Sequence, residues 1–400
     1  MVQLNDGPSR GMPMSQRVSS LILQLVALAV LSQSSAEVHA FQIGVLGTRL
    51  ESRLTREPDS SLARVAGYLG VLIKRPVHEE ITQIAFDCPA NVNALETDEA
   101  CADPNIGYAD PFILYGVRWN DLPPFRLNPD QGATCRKFGL RDLPACNVSQ
   151  TVRFSTQPDC WVCLFRDAQK VAKSKNITGC AKGPSYVPGT LMTRSHFGDL
   201  QFLHAMANAE GVGPAETRGK VMDWLKFAWM VFEGRLSPET PLKTIEIPTI
   251  REHFGCSEWT ISDLYVLGQK DTLTKRLRDV AFGSVVHTIQ DSFAEGHVER
   301  ESAPLGEVCP GGARRPGRIV EFHAYARQDA TKHDQYDTRH AMARAAATAE
   351  SDAIEMTRQL FRFWHQNSSW ADVQPFLECV FELSRYSRAS SSGAQFQPST

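Results

Sequence analysis

The chain has 400 residues, of which 42% are hydrophobic and 22% are charged. This composition excludes a disordered or collagen-like chain, and the length fits one large domain or two ordinary ones. The net charge of −3 argues against a globally basic nucleic-acid binder, although it leaves room for a local basic patch.

The N-terminal segment has the layout of a secretory signal peptide. Arg10 and Arg17 precede an apolar run over 21–31, and small residues follow up to Ala40. A helix of that length is too short to cross a bilayer core. The pattern predicts a signal peptide over 1–40 and a secreted or periplasmic chain with no transmembrane segment after its removal. A short amphipathic or buried helix is the alternative.

The ten cysteines are an even number, and in an exported chain they predict disulfides. The pair Cys160 and Cys163 leaves a redox or zinc role open, although no second such pair completes a four-thiolate zinc site. Prolines and cysteines concentrate in 88–192, where periodicity is weak. This region predicts loops, with a Cys-rich insertion at about 122–195.

Apolar residues three or four positions apart predict helices on both sides of this region. The predicted helical stretches are 62–87 with a break at Pro76, 200–207, 221–232 ended by Gly234, 261–294 as one or two helices, and 340–365. Residues 311–317 predict a loop, and the Ser/Gly/Gln-rich residues 386–400 predict a disordered tail. We therefore expect an all-α fold with a mainly helical single domain over 41–385.

The most informative histidines occur in His-x3-Asp pairs. His287 and Asp291 are separated by four residues on a predicted helix and therefore share one face, with His297 shortly after them. His333 and Asp337 repeat the spacing. Imidazole nitrogen and carboxylate oxygen are good zinc ligands, so the two pairs predict a metal site. The alternative is that each histidine is an ordinary surface or core residue.

Three further residues have a local context that suits the same site. His78 begins a predicted helix after Pro76, and His196 lies at the start of the next predicted helix. Asp121 lies in a turn-like segment before two prolines. Together with the two pairs, these residues form an ordered series along the chain.

This series resembles the zinc-dependent phospholipase C and S1/P1 nuclease superfamily, whose members are secreted, mostly helical enzymes with three zinc ions in a cleft. The family's ligand order is an N-terminal residue, His, Asp, His, His-x3-Asp-x5-His, and His-x3-Asp or His-x3-Glu. The matching positions are His78, Asp121, His196, His287, Asp291, His297, His333 and Asp337. The resemblance covers about residues 65–340 and implies a phospholipase C/P1 nuclease-like helical domain.

The resemblance also implies how the ligands are shared. One zinc ion would be held by Asp121, His196, His287 and Asp291, and a second by His297, His333 and Asp337. The third would use His78, a second oxygen of Asp291 and the N-terminal residue. The predicted N-terminus, Phe41, lies about 37 residues before His78, further than is typical of the family. We therefore expect two or three zinc ions per chain.

The resemblance implies an enzyme that hydrolyses a phosphodiester with a zinc-bound hydroxide, with Asp121 and Asp291 as catalytic residues. Because the charge is unremarkable, we expect phospholipase C-like cleavage on the glycerol side first. An S1/P1-type single-strand nuclease and a non-catalytic metal-binding secreted protein are the alternatives. The expected partners are a phospholipid or nucleic-acid phosphodiester, with peripheral membrane contact in the first case, and the expected state is a monomer.

Four residues are candidates for contact with phosphate or headgroup. They are Arg314, Arg315, His323 and Tyr325. The arginines lie within the predicted loop 311–317, so a solvated loop is the competing interpretation for them.

Overall fold

The computed structural model describes residues 77–89, 101, 106–126, 137–138, 141–142, 151–152, 191–267, 273–325, 327–329, 332–333 and 353–397. The predicted signal peptide, most of the Cys-rich insertion and Asp337 lie outside these residues. Within the described part the chain is mainly helical, which confirms the expected fold class at that level.

Helices α1 to α9 are Val77–Ala85, Pro111–Trp119, Leu191–Phe197, Pro214–Phe232, Pro248–Phe254, Ile261–Val266, Leu277–Asp291, Ala353–His365 and Trp370–Val380. Short 3-10 helices are Gln201–His204, Leu242–Thr244, Thr274–Arg276 and Ala394–Phe396. Strands β1 to β6 are Phe125–Arg126, Lys137–Phe138, Arg141–Asp142, Thr151–Val152, Val298–Arg300 and Ile319–Phe322. They form three antiparallel pairs, β1 with β4, β2 with β3 and β5 with β6.

The helix ends follow from local sequence. Proline lies in the first turn of α2, α4 and α5, where its fixed φ suits the helix and its missing N–H costs nothing. The carboxylate of Asp110 caps α2 by accepting a hydrogen bond from the Phe112 N–H at 2.8 Å. After α4 the chain turns at Gly234, which has φ +79°, so the predicted end of this helix is confirmed.

Helix α7 is the central element of the fold. Every residue from Val280 to Asp291 is buried, as expected for a helix surrounded by others. Helix α2 crosses it at two glycines. A Cβ on Gly116 would lie 2.0 Å from the Val280 carbonyl oxygen, and one on Gly283 would lie 2.2 Å from the carbonyl oxygen of Ile113. The two backbones therefore touch, which brings the end of α2 against the C-terminal half of α7.

Aromatic side chains hold the surrounding helices to this pair. The ring of Trp119, at the end of α2, stacks on Trp224 of α4 with centroids 5.8 Å apart, and it lies 4.9 Å from the ring of Tyr265 in α6. All three side chains are buried. Contacts of this kind add to the free energy of burial because edge and face charges of the rings are complementary.

Disulfides join distant parts of the described chain. Cys88 pairs with Cys101 and Cys309 with Cys379, and Cys256 is also disulfide-bonded. Within the described residues, helices with the length and apolar character of a membrane span are absent. The predicted disulfides are thus confirmed for these cysteines, and they fit an oxidising compartment.

Two predictions of irregular structure are wrong for the described residues. Residues 111–119 lie in the stretch predicted as loops, yet they form α2, because a capping Asp110 and a proline start the helix and its apolar residues are buried. Residues 386–397 belong to the predicted disordered tail, yet Phe396 is fully buried. Backbone hydrogen bonds fix this segment, including one from the Ala324 N–H to the Ser391 carbonyl at 2.7 Å.

Candidate metal centre

Histidine and aspartate side chains from distant parts of the chain meet in one buried cluster. They come from α1, the turn after α2, α3 and the 3-10 helix that follows it, the C-terminal half of α7 with the turn after it, and the short helical turn at 332–333. The cluster consists of His78, Asp121, His196, His204, His287, Asp291, His297 and His333.

Asp291 lies at the centre of the cluster. One carboxylate oxygen, Oδ2, lies 2.9 Å from His287 Nε2 and 2.9 Å from His204 Nδ1. The other, Oδ1, lies 3.3 Å from His78 Nε2. His297 Nδ1 is 3.8 Å from Oδ2. The predicted shared face of His287 and Asp291 is therefore present, and each oxygen of Asp291 faces a different group of imidazoles.

Asp121 faces the same histidines at longer range. Its Oδ1 lies 3.6 Å from His204 Nδ1 and 3.9 Å from the Nε2 atoms of His196 and His287. Its Oδ2 lies 4.0 Å from His78 Nε2. These separations are too long for hydrogen bonds, and both oxygens are buried.

Four polar atoms of the cluster are buried without a hydrogen-bond partner among the described residues. They are both carboxylate oxygens of Asp121, Oδ1 of Asp291 and Nε2 of His204. A buried charged oxygen without a donor carries a large desolvation cost. A cation bound among these atoms would remove that cost, so the residues present fit a metal ion.

Hydrogen bonds fix the orientation of three imidazoles. The Nδ1–H of His287 donates to the Val117 carbonyl at 2.7 Å, and that of His297 donates to the His204 carbonyl at 2.7 Å. In the same way the Nδ1–H of His78 donates to Oε1 of Gln290 at 2.6 Å. An imidazole that carries its proton on Nδ1 alone keeps the lone pair on Nε2, which is the arrangement of metal-binding histidines.

The charges of the cluster are strongly coupled. Burial alone would lower the pKa of His78, but the hydrogen bond and charge of Asp291 and the charge of Asp121 raise it to about 9. Burial raises the pKa of each carboxyl group, yet the neighbouring histidines hold the pKa values of Asp121 and Asp291 below the ordinary value. Burial lowers the pKa of His287. The two aspartates are therefore carboxylates at neutral pH, as metal binding requires.

His333 lies at the other edge of the cluster. Its ring stacks on that of His297 with centroids 5.2 Å apart, and the ring of Tyr325 lies 5.5 Å away. A Cβ on Gly296 would lie 2.7 Å from His333 Nδ1, so glycine is needed there for this approach. Asp337, the other half of the predicted pair, lies outside the described residues.

Two groups of ligand atoms within this cluster could hold an ion, because in each group the nitrogen and oxygen atoms all lie within 4.8 Å of one another. One is His78, His287 and Asp291, and the other is Asp121, His204 and His287. Zinc prefers such nitrogen and oxygen donors at about 2.0–2.2 Å.

The structure brings together all the predicted ligands that it describes, and it adds His204. The sequence interpretation assigned His204 to an apolar stripe with Leu200 and Leu203. That stripe is buried, but the imidazole lies among the aspartates. The sequence feature that could have indicated His204 is a histidine in an otherwise apolar stripe, and this is a weak signal.

The predicted substrate contacts have different surroundings. Arg314 pairs with Glu355 at 2.7 Å, and Arg315 pairs with Glu307 at 3.1 Å and with Glu382. These contacts correspond to the competing interpretation of a solvated, ion-paired loop. His323 and Tyr325 follow β6, and Tyr325 borders His333.

Comparison with protein-family models, with curated proteins and with solved structures found no match for this chain. Function must therefore be inferred from the cluster itself, residue by residue.

Proposed function

We propose that the chain is a secreted zinc-dependent phosphoric ester hydrolase of the phospholipase C type, which cleaves a phospholipid on the glycerol side of its phosphodiester. The observation that carries the proposal is a buried pair of carboxylates, Asp121 and Asp291, enclosed by histidines. Both oxygens of Asp121 have no hydrogen-bond donor among the described residues, and Oδ1 of Asp291 lies beside His78 Nε2 at 3.3 Å. Buried carboxylates in this state are typical of metal ligands, and paired metals are a recurring device for phosphate ester hydrolysis.

The ligands divide naturally between ions. Asp121, His204 and His287 would hold one zinc with Asp291, and His78 would hold another with the second oxygen of Asp291. His297, His333 and the predicted ligand Asp337 would complete a third set. His196 is partly exposed and lies 3.9 Å from Asp121, so it suits either an outer ligand or a contact with substrate.

Zinc bound in such a site lowers the pKa of a coordinated water towards about 7 and polarises a phosphoryl oxygen. The residues of the chain supply orientation and proton handling. Asp121, held as a carboxylate by the surrounding imidazoles, would accept a hydrogen bond from the attacking water. His196, beside Phe197 at the edge of the cluster, would contact the leaving oxygen, and that oxygen would take up the proton released by the attacking water.

An aromatic wall borders this side. The rings of Phe197 and Tyr325 are 5.6 Å apart, and both residues are partly exposed beside His196 and His333. Such a wall suits an acylglycerol leaving group in a phospholipase. The same faces could stack a base, and this observation keeps an S1/P1-type single-strand nuclease as the second candidate.

Secretion belongs to the same proposal. The disulfides of Cys88, Cys101, Cys309 and Cys379 require an oxidising compartment for their formation. The N-terminal signal-peptide pattern agrees with it. A phospholipid substrate would also require transient contact with a membrane surface.

The test is substitution Asp291→Asn, measured first by zinc content. If Asp291 bridges two ions, the variant should lose more than one zinc per chain and more than about 100-fold in activity. Asp279→Asn is the matched control, because Asp279 lies on the same helix and pairs with Arg276 at 2.6 Å. It should keep full zinc content. Loss of a single zinc by Asp291→Asn would contradict the bridge.

Two assays on the wild-type protein identify the substrate class. Release of phosphorylated headgroup from phosphatidylcholine would support the phospholipase, and cleavage of single-stranded nucleic acid would support the nuclease instead. A fully zinc-loaded protein without either activity would support the non-catalytic metal-binding alternative.

A further inference from the structure

The last described segment of the chain, residues 388–397, lies along the loop that carries His333. Three hydrogen bonds join the two. The side-chain amide of Gln328 donates to the Ser392 carbonyl at 3.0 Å, and the Asp329 N–H donates to the Phe396 carbonyl at 2.6 Å. The ammonium group of Lys332 donates to the Gln397 carbonyl at 2.6 Å.

Phe396 connects this segment to His333 in two ways. Its fully buried ring lies with its centroid 6.2 Å from that of His333 and 5.5 Å from that of His323. The backbone carbonyl of Phe396 accepts the Asp329 N–H. The backbone carbonyl of Asp329 in turn accepts the His333 N–H at 3.0 Å, and the Asp329 carboxylate accepts the Lys332 N–H at 3.1 Å. The helical turn that presents His333 is therefore fixed from one side by Phe396.

The other end of the segment is held by a charged contact. Arg388 pairs with Glu321 at 2.6 Å and with Glu299, and Glu321 also accepts the Ser391 N–H at 2.6 Å. Glu299, Glu321 and His323 also have ligand atoms close enough together to hold a metal ion. The Arg388 guanidinium already supplies the positive charge there, so these carboxylates serve as an anchor for the segment.

We propose that residues 388–397 are a positioning strap for the metal centre and that Phe396 is its positioning residue, acting through the orientation of His333. This inference rests on the proposed function, because it assumes that His333 binds zinc. Outer partners that orient a metal-binding histidine typically change metal affinity by about 10- to 100-fold when they are removed. The strap should therefore affect the zinc held by His297 and His333 and leave the ions around Asp291 in place.

The experiment is Phe396→Ala in the full chain, with zinc content measured during titration with a chelator. We expect one zinc per chain to bind about 10- to 100-fold more weakly, with the remaining ions unchanged. The cobalt-substituted variant should lose one component of its visible absorption spectrum. Tyr386→Ala is the matched control, because Tyr386 is an aromatic residue of the same terminal region but is 64% exposed. It should behave as wild type.

The outcomes separate the two proposals. A wild-type protein that binds no zinc would overturn both the proposed function and the strap. A zinc-binding wild type whose Phe396→Ala variant retains every ion at unchanged affinity would overturn the strap alone. If Phe396→Ala loses its helical structure, Phe396→Leu decides, since it keeps apolar volume but removes the ring from both imidazoles. Selective weakening of one zinc in that variant supports the strap, and unchanged zinc affinities overturn it.

Discussion

At Asp291, burial and the neighbouring imidazoles act on the carboxyl group in opposite directions. Burial favours the neutral acid, whereas the charges and hydrogen bonds of His287, His297 and His204 favour the carboxylate and win. The reverse holds for His78, where the two aspartates favour the protonated ring against burial. Without metal, the extra protons of the cluster are therefore carried by histidine side chains such as that of His78.

His78 contributes to the pH dependence of the metal-free protein, as does His204, whose pKa is also raised by the two aspartates against burial. The pKa of His78 in the folded protein is about 9 against an ordinary 6.5, so this residue stabilises the fold fully below pH 6.5. That stabilisation is lost as pH rises through 9. We expect the free energy of unfolding in chelator to fall by on the order of 3 kcal/mol between these pH values.

Urea unfolding at pH 6.5 and pH 9 measures this difference. His78→Gln should show a smaller change, and the zinc-loaded wild type should not lose stability in the same way, because zinc binds the neutral imidazole. An equal pH dependence in His78→Gln and wild type would show that another group is responsible.

The sequence predicted best those contacts of the site that follow from the spacing of two residues along one helix. His287 and Asp291 must share a helix face once that helix forms, so their contact was predictable. His204 was not, because its neighbours in sequence are apolar and its polar contacts come from elements more than 80 residues away. The ion pair of Arg314 with Glu355 could not be predicted for a similar reason, since the two residues are remote in sequence.

At the scale of elements, the crossing of α2 and α7 determines where Asp121 lies. The contact depends on two glycines, Gly116 and Gly283, each of which faces backbone of the opposite helix. Backbone cannot move aside as a flexible side chain can. Asp121 follows α2 by two residues, so a shift of this helix would move its carboxylate away from His287 and Asp291.

Gly116→Ala should therefore destabilise the protein by about 2–3 kcal/mol or more and lower its zinc content. Gly219→Ala is the control, because Gly219 is an exposed residue of helix α4 with open space around its Cα. There alanine should stabilise the protein by about 0.5–1 kcal/mol. Thermal unfolding together with zinc analysis measures both effects, and a Gly116→Ala variant with wild-type stability would contradict the close crossing.

The elements themselves were only partly predictable. Helical periodicity identified α1, α4 and α7, whose apolar residues repeat regularly. Helix α2 was missed because it lies in a region rich in proline and cysteine, although its proline and the capping Asp110 favour a helix start. The ordered structure of residues 386–397 was also not predicted, since their polar composition carries no information about the loop against which they pack.

At the scale of the whole molecule, disulfides limit how far the unfolded chain can expand. The Cys309–Cys379 bond spans 70 residues and ties the β5–β6 connection to α9. The Cys88–Cys101 bond spans 13 residues. Loop-closure entropy makes the longer bond the larger contributor to stability.

Replacing Cys309 and Cys379 together by serine should lower the free energy of unfolding by about 4 kcal/mol, and replacing Cys88 and Cys101 should lower it by about 3 kcal/mol. Urea unfolding under oxidising conditions measures both. The sharper test is which replacement lowers the free energy of unfolding more, because a larger loss from the 13-residue loop would contradict the entropic explanation.

The convergence of the ligands has a consequence for the time course of folding. His78 and Gln290, which orients it, are 212 residues apart, so their contact closes one of the longest loops in the chain. Contacts of such high sequence separation form slowly. We therefore expect the histidine and aspartate cluster to assemble late, after the helices around α7 have packed, so that a metal bound there would not guide the early steps. In a refolding experiment, tight zinc uptake should coincide with the final recovery of native structure, so the metal would mark a chain that has finished folding.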